Sequence, residues 1–259
     1  MATAKDLLVK PIKSADAIAF VKAHHYSGKV AQNSQLHLGV FLDGRLHGCM
    51  QFGPSLDKRK IQGLVSGTQW HEFLELNRMA FDDVLPRNSE SRALSVAFRM
   101  IRKNAPQVKW IISFADGTQC GDGTIYRAAG FVLTGITENK NLARLADGSI
   151  IHKMTLESNP LATDYGAINE GKNDFSHYLE VKGGERLTGF QLRYIYFLDP
   201  SYRARLTVPE LPYSEIERRG AKMYKGQKPG DTGEIDSAPQ SNAETEGASP
   251  IVSLLQVTE

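Results

Sequence analysis

Two short stretches of this chain concentrate side chains that can move protons or hold anions. The first is His24-His25-Tyr26-Ser27-Gly28, at the end of an amphipathic segment. Imidazole titrates near neutral pH and can serve as a base. Neighbouring histidines on a helix point in different directions, so at most one of this pair faces a given site. His25, with Tyr26 beside it, is the candidate. A helix C-terminus helped by an imidazolium charge is the plainer reading of the same residues. The second stretch runs from Ser113 through Asp116-Gly117 and Gly121-Asp122-Gly123 to Tyr126. Asp116 closes an apolar run, where α/β sheets place ligands. It can orient or deprotonate an amine, or simply cap its own Asp-Gly turn. Ser113 sits near the same strand end. Asp122 between two glycines exposes backbone N–H groups that can bind an anion, although a simple turn fits as well. Tyr126 is a phenol of pKa about 10 that can protonate a departing thiolate or alkoxide within hydrogen-bond reach. His25 and Asp116 would form a mononuclear metal site if the fold brought them together, but no metal ligands are assigned.

The elements that must position these residues are legible as patterns. Ser14 can cap a helix running through Ala23, with Ala17, Ile18 and Val21 as its apolar stripe. Leu36 to Leu42 and Leu46 to Phe52 read as two strands of a hairpin turned by Asp43-Gly44. Residues 54–69 form a long loop or short helix rich in basic residues. Phe73 to Phe81 reads as a strand. Ser89 caps a helix from Glu90 to Lys103, whose Leu94, Ala97, Phe98 and Ile101 share one face. Trp110 to Phe114 has no alternation, as expected for a strand covered on both faces. A short helix around Ile125–Ala129 is stopped by Gly130, and Phe131 opens the next strand. Ile150 to Leu156 and Phe190 to Leu198 read as further strands, and Glu215 to Tyr224 as a short basic helix. Pro160 to Gly184 is polar and turn-rich, with Tyr165, Phe175 and Tyr178 as isolated aromatics.

The order strand, helix, strand, short helix, strand, with the ending Ile125-Tyr126-x-x-x-Gly130-Phe131, resembles the core of the GCN5-related N-acetyltransferase (GNAT) fold. The chain as a whole more closely resembles the Mom-type DNA adenine modification proteins of bacteriophages. That likeness rests on His24-His25-Tyr26-Ser27-Gly28, Glu75-Leu76-Asn77-Arg78, Asp116-Gly117, Cys120-Gly121-Asp122-Gly123 and Arg193-Tyr194-Ile195-Tyr196-Phe197. It covers about residues 10–225. The resemblance implies an α/β fold with a central mixed twisted sheet flanked by helices. It implies an enzyme that converts adenine in double-stranded phage DNA to N6-carbamoylmethyladenine in the host cytoplasm, protecting the DNA from restriction. Phe73–Phe81 would be the strand beside which the donor binds, and Tyr126 would stand near the leaving group. One departure matters. Coenzyme-A acyltransferases of this fold carry a glycine-rich loop that holds pyrophosphate at a helix N-terminus. Here Leu85 to Arg92 contains no glycine, and Glu90 would repel phosphate. Arg87, Ser89 and Arg92 remain as anion-binding candidates. The donor stays open: an activated acyl or glycyl group, acetyl-coenzyme A, or a reaction assisted by iron. A coenzyme-A-dependent N-acetyltransferase of a small amine or protein is one alternative, and a non-catalytic DNA-binding protein is another.

Bulk properties agree with one catalytic domain over residues 1–228, carrying an inserted segment at about 158–188. The chain has 41% hydrophobic and 23% charged residues, ordinary for a globular protein. No apolar stretch approaches a membrane span, and Cys49 and Cys120 do not make a disulfide framework. Residues 229–259 hold six acids and no Lys or Arg, and read as a flexible tail. Without them, 31 basic residues face 23 acidic ones, which suits a phosphate-rich partner. Lys58, Arg59, Lys60, Arg203, Arg205, Arg218, Arg219, Lys222 and Lys225 are the candidate phosphate contacts. Tyr26, Trp70, Tyr165 and Tyr178 are candidates to stack on an exposed adenine. The strand at Arg193–Leu198 could pair two copies into a homodimer, or pair within one chain.

Overall fold

The computed structural model of the chain describes residues 2–118, 121–158 and 163–221. Cys120, Lys222, Lys225 and the acidic tail lie outside them. The elements, in chain order, are β1 (Leu8–Pro11), α1 (Ser14–His24), β2 (Leu36–Leu42), β3 (Arg45–Gly53), α2 (Lys58–Gln62), β4 (Phe73–Phe81), α3 (Ser89–Asn104), β5 (Trp110–Asp116) and α4 (Thr124–Ala128). Then come β6 (Val132–Glu138), β7 (Leu142–Arg144), β8 (Ile150–His152), α5 (Lys153–Ser158), α6 (Tyr165–Ile168), α7 (Phe175–Val181), β9 (Glu185–Arg186), β10 (Phe190–Phe197) and α8 (Ser214–Arg218). A 3₁₀ turn, Pro200–Arg205, follows β10.

Seven strands form one sheet in the order β1-β2-β3-β4-β5-β10-β6. Its described neighbours pair antiparallel except β4 and β5, which are parallel. This is the mixed sheet with flanking helices that the resemblance implied. The β2–β3 turn places both Asp43 and Gly44 at positive φ, the backbone a two-residue hairpin requires. The apolar run of β5 is buried on both faces. Ile111 and Ala115 join the main core with Leu94, Ala97, Phe98 and Ile101 of α3. Trp110 and Ile112 join a second core beneath α2, with Ile61, Phe73 and Ile195.

Two irregularities open the sheet. β4 and β5 pair only at Phe73↔Trp110, Leu74↔Ile111 and Glu75↔Ile112. Beyond those rungs the strands part. On the other side of β4, Arg78 opposes Gln51 and Leu76 opposes Phe52. Asn77 is therefore an extra residue, a bulge that re-aims the strand where it leaves β5.

Several expectations need correction. The N-cap of α3 is Asn88, in the left-handed region at φ 70. Ser89 is already helical, and its hydroxyl donates back to the Pro86 carbonyl at 2.5 Å. The strand read over Ile150–Leu156 ends at His152, and α5 begins at once. The segment around residues 163–186 shares a small core with Ala143 of β7 and Leu156 of α5. Tyr165 and Tyr178 are 2% and 4% exposed there and pack with Phe175 and Leu179, so neither can stack on a base. The short helix near residue 215 ends at Arg218. β10 is hydrogen-bonded to β5 on one side and β6 on the other, which leaves no edge there for a second copy.

Candidate active site

The gap between β4 and β5 organises the site. Past Glu75 and Ile112 the facing strand edges have no strand-to-strand partner among the described residues, so their backbone groups can pair with an extended ligand. Ser113 is fully buried, and its hydroxyl donates to the Leu76 carbonyl at 3.3 Å. It ties the strands together where they begin to part. Side chains alternate along a strand. Ser113 therefore points with Ile111 and Ala115 toward α3, while Asp116 points with Ile112 and Phe114 toward α1 and α2.

On the α1 side a polar cluster surrounds the bulge. The Arg78 guanidinium donates to the Lys29 carbonyl at 3.0 Å and to the Asn77 carbonyl at 2.6 Å. The Ser34 hydroxyl donates to the Asn77 side chain at 3.2 Å, and Asn33 reaches the Pro54 carbonyl. The loop after α1 is thereby sewn to β4 and to the β3–α2 loop. Glu75 accepts a hydrogen bond from Ser55. Burial raises its carboxyl above the usual range, against the lowering effect of Ser55, Asn77 and Arg78.

His25 sits in this cluster. The backbone N–H of Ser27 donates to its Nδ1 at 3.2 Å, and Ser27 Oγ lies 2.8 Å from the same atom. An amide N–H can only donate, so Nδ1 is unprotonated and the ring proton resides on Nε2. Burial, and then the Arg78 charge, lower the His25 pKa to about 4. The Tyr26 ring packs against His25 at a tilt of 32°, with ring centroids 4.3 Å apart, and is half exposed.

Asp116 joins the cluster from β5. It accepts from the Thr118 N–H at 3.0 Å, and the Asn139 amide lies 3.5 Å away. His152, at the end of β8, is lowered by burial, raised by the Asp116 charge and lowered by that of Lys29. The Lys29 ammonium donates to Thr155 of α5 at 3.1 Å. His25, Arg78, Lys29, His152 and Asp116 thus form one connected neighbourhood at the open end of the gap.

Tyr126 is on the other face. Its ring packs against Phe131 and Tyr194 at 5.2 and 5.3 Å, on the side of the sheet that α3 covers. Gly123 precedes its helix at φ 75, and a Cβ there would come within 2.5 Å of the Tyr194 ring. The Asp122 carboxylate caps Thr124 at 3.1 and 2.6 Å and lies 3.6 Å from Arg127. Those contacts account for Asp122 as a turn residue. Gly121 adopts φ 91 in the same turn.

The loop before α3 does not make a pyrophosphate cradle. Arg87 is exposed, the Ser89 hydroxyl is engaged by Pro86, and Glu90 places a negative charge in the first helical turn. Only Arg92 keeps a buried Nε without a hydrogen-bond partner. These residues do not fit the diphosphate of ordinary coenzyme A. Among the described residues no group of three or more His, Cys, Asp or Glu is arranged to hold a metal ion.

Comparison with known proteins is decisive at the level of family. The model of the Mom protein family matches residues 6–215. The chain belongs to that family. It is 36% identical over 204 residues to the methylcarbamoylase Mom of Escherichia phage Mu, covering 78% of this chain and 80% of that protein. Among solved structures, an N-acetyltransferase from Staphylococcus aureus Mu50 is similar at 9% identity and a TM-score of 0.43, over 74% of this chain and 99% of its own. The ribosomal-protein-S18-alanine N-acetyltransferase of Escherichia coli is similar at 10% identity and a TM-score of 0.41, over 74% and 94%.

In this Mom-family chain, sequence reasoning proposed His25, Tyr26, Asp116 and Tyr126. The structure brings His25 and Asp116 into one neighbourhood through charges that reasoning did not single out, and leaves Tyr126 on the other face. Glu75 and Arg78 carried a signal: two opposite charges inside an otherwise apolar strand. Lys29 and His152 carried none, because one lies in the loop after α1 and the other at the end of the short strand β8. The candidate phosphate contacts also divide. Lys58, Arg59 and Lys60 are exposed on α2, and the Lys58 ammonium lies 4.9 Å over the exposed Trp70 ring. Arg203 is paired with Glu210, and Arg218 and Arg219 both with Glu215. Arg205 lies over Tyr202 at 4.1 Å. A separate cavity of about 670 Å³, lined by Phe73, Leu74, Met100, Val108 and Trp70, lies at the opposite end of β4 from the gap.

Proposed function

We propose that this chain is a DNA-modifying transferase that converts adenine in double-stranded phage DNA to N6-carbamoylmethyladenine, acting in the host cytoplasm and protecting the DNA from restriction. The observation that carries the reading, beside family membership, is the polar cluster of Arg78, His25 and Asp116 at the open end of the β4–β5 gap, with Tyr126 across the sheet. The product carries a methylene on N6. The reaction therefore forms an N6–carbon bond, releases one N6 proton and expels the donor's leaving group. Acetyl transfer would leave a carbonyl on N6 instead.

The residues divide this work by position. Asp116 accepts a hydrogen bond from the N6 amine and takes its proton as the new bond forms. Arg78 stabilises negative charge that develops on the donor. His25 is neutral and acts as a hydrogen-bond donor through Nε2 rather than as a base. Tyr126 protonates the leaving group from the α3 side. The donor arm lies in the gap along the unpaired strand edges, and Arg92 offers its unpartnered Nε to an anionic end. The target adenine must leave the duplex to reach the cluster, while Lys58, Arg59 and Lys60 hold phosphates beside it.

Plasmid DNA from cells expressing the protein should resist restriction enzymes whose sites contain adenine. DNA from cells expressing Asp116→Asn or Arg78→Lys should be cut like control DNA. Full resistance with both variants would remove the site from this assignment.

A further inference from the structure

We infer that Leu56 is the wedge that enters the duplex and fills the space left by the extruded adenine. The inference rests on the DNA-modifying reading above. Leu56 is 80% exposed, the most exposed large apolar side chain among the described residues. Its neighbours on either side are anchored. Ser55 is 3% exposed and donates to Glu75 at the last rung before the strands part. Asp57 caps α2 by accepting from the Lys60 N–H. The Pro54 carbonyl is held by Asn33 of the loop after α1. A bare leucine is thus displayed on a pinned turn beside Glu75, between Pro54 and Lys58, which line the cavity at the start of β4. The next three residues, Lys58, Arg59 and Lys60, are all exposed bases.

That combination is what a base-extruding surface requires. Apolar side chains inserted between base steps replace lost stacking, and adjacent cations fix the backbone. Of the other exposed apolar side chains, two aromatics are already engaged, and Met154 lies on α5, where the adjacent Lys153 is paired with Glu157. Tyr26 packs against His25, and Trp70 lies under the Lys58 ammonium. Val84 and Leu8 lie elsewhere, on the β4–α3 loop and on the edge strand β1.

The test uses purified full-length protein and a duplex carrying one 2-aminopurine at an adenine that the protein modifies in cells. A second duplex has an abasic site opposite the same position. Unstacking raises 2-aminopurine fluorescence. The wild type should raise it in both duplexes. Leu56→Ala should lose on the order of tenfold of the response in the paired duplex. It should keep the response opposite the abasic site, where the probe has no pairing partner to leave and needs no wedge to displace it. Its duplex affinity by anisotropy should stay within about threefold of wild type, and Leu56→Met should restore the response. A Leu56→Ala protein that unstacks the paired duplex like wild type overturns the inference, as does equal loss on both duplexes. A wild type that modifies DNA in cells yet leaves the probe stacked overturns the wedge alone. A wild type that binds neither duplex overturns the DNA reading with it.

Discussion

Replacing His25 with Gln should change how stability depends on pH more than it changes stability at neutral pH. His25 is lowered from 6.5 to about 4, by burial first and the Arg78 charge second. In the unfolded chain it binds a proton as pH falls through 6.5, whereas in the folded chain it stays neutral until about pH 4. The unfolded state therefore binds the extra proton first, and stability drops as pH falls across that window. At about 1.4 kcal/mol per pH unit the loss approaches about 3 kcal/mol. His25→Gln keeps a hydrogen-bonding side chain but cannot titrate, so it escapes this loss. Thermal unfolding from about pH 7.5 down to pH 4.5 should show the variant gaining on wild type by roughly 5–10 °C at the acid end. The lowered His37 and His152 are common to both proteins and cancel. NMR titration of the His25 ring should be flat through the physiological range. Parallel unfolding curves, or a His25 resonance titrating near 6.5, would refute the burial argument and return His25 to the role of a base.

Three further outcomes follow from the same geometry. Gly123→Ala places a Cβ 2.5 Å from the Tyr194 ring at φ 75. It should destabilise by about 1–3 kcal/mol in urea unfolding. Ser113→Ala removes one buried hydrogen bond across the strand gap. It should lose about 1 kcal/mol of stability and leave modification in cells largely intact, because the hydroxyl faces away from Asp116. Lys58→Ala with Arg59→Ala should weaken duplex binding and flatten its salt dependence by about one log unit per lost phosphate contact. Arg218→Ala with Arg219→Ala should change neither, since Glu215 already engages both.

What the sequence disclosed and what it hid have physical reasons. The non-alternating apolar run of β5 and the apolar face of α3 marked those two elements, while the mixed sheet was implied by the family resemblance. Local chemistry misled at Ser89. A serine before a helix normally caps it, but here Asn88 takes the left-handed conformation and Ser89 turns its hydroxyl back to Pro86. The end of β8 was invisible because Lys153–Leu156 has no breaker before it, and the small core around Tyr165 and Tyr178 was hidden by the polar residues that separate its members. In the site, Asp116 and His25 were found because their residue types stand out. Their connection through Arg78 of β4, Lys29 of the loop after α1 and His152 of β8 joins segments far apart in sequence, where β4 bulges at Asn77 and parts from β5.

The most direct measurement is mass spectrometry of the nucleosides of plasmid DNA from cells that do or do not express the protein. A deoxyadenosine heavier by one carbamoylmethyl group should accompany the wild type and vanish with Asp116→Asn and Tyr126→Phe, both purified as folded proteins. Unmodified adenine with well-folded wild-type protein, or undiminished product with both variants, would contradict the assignment of this reaction to the β4–β5 gap.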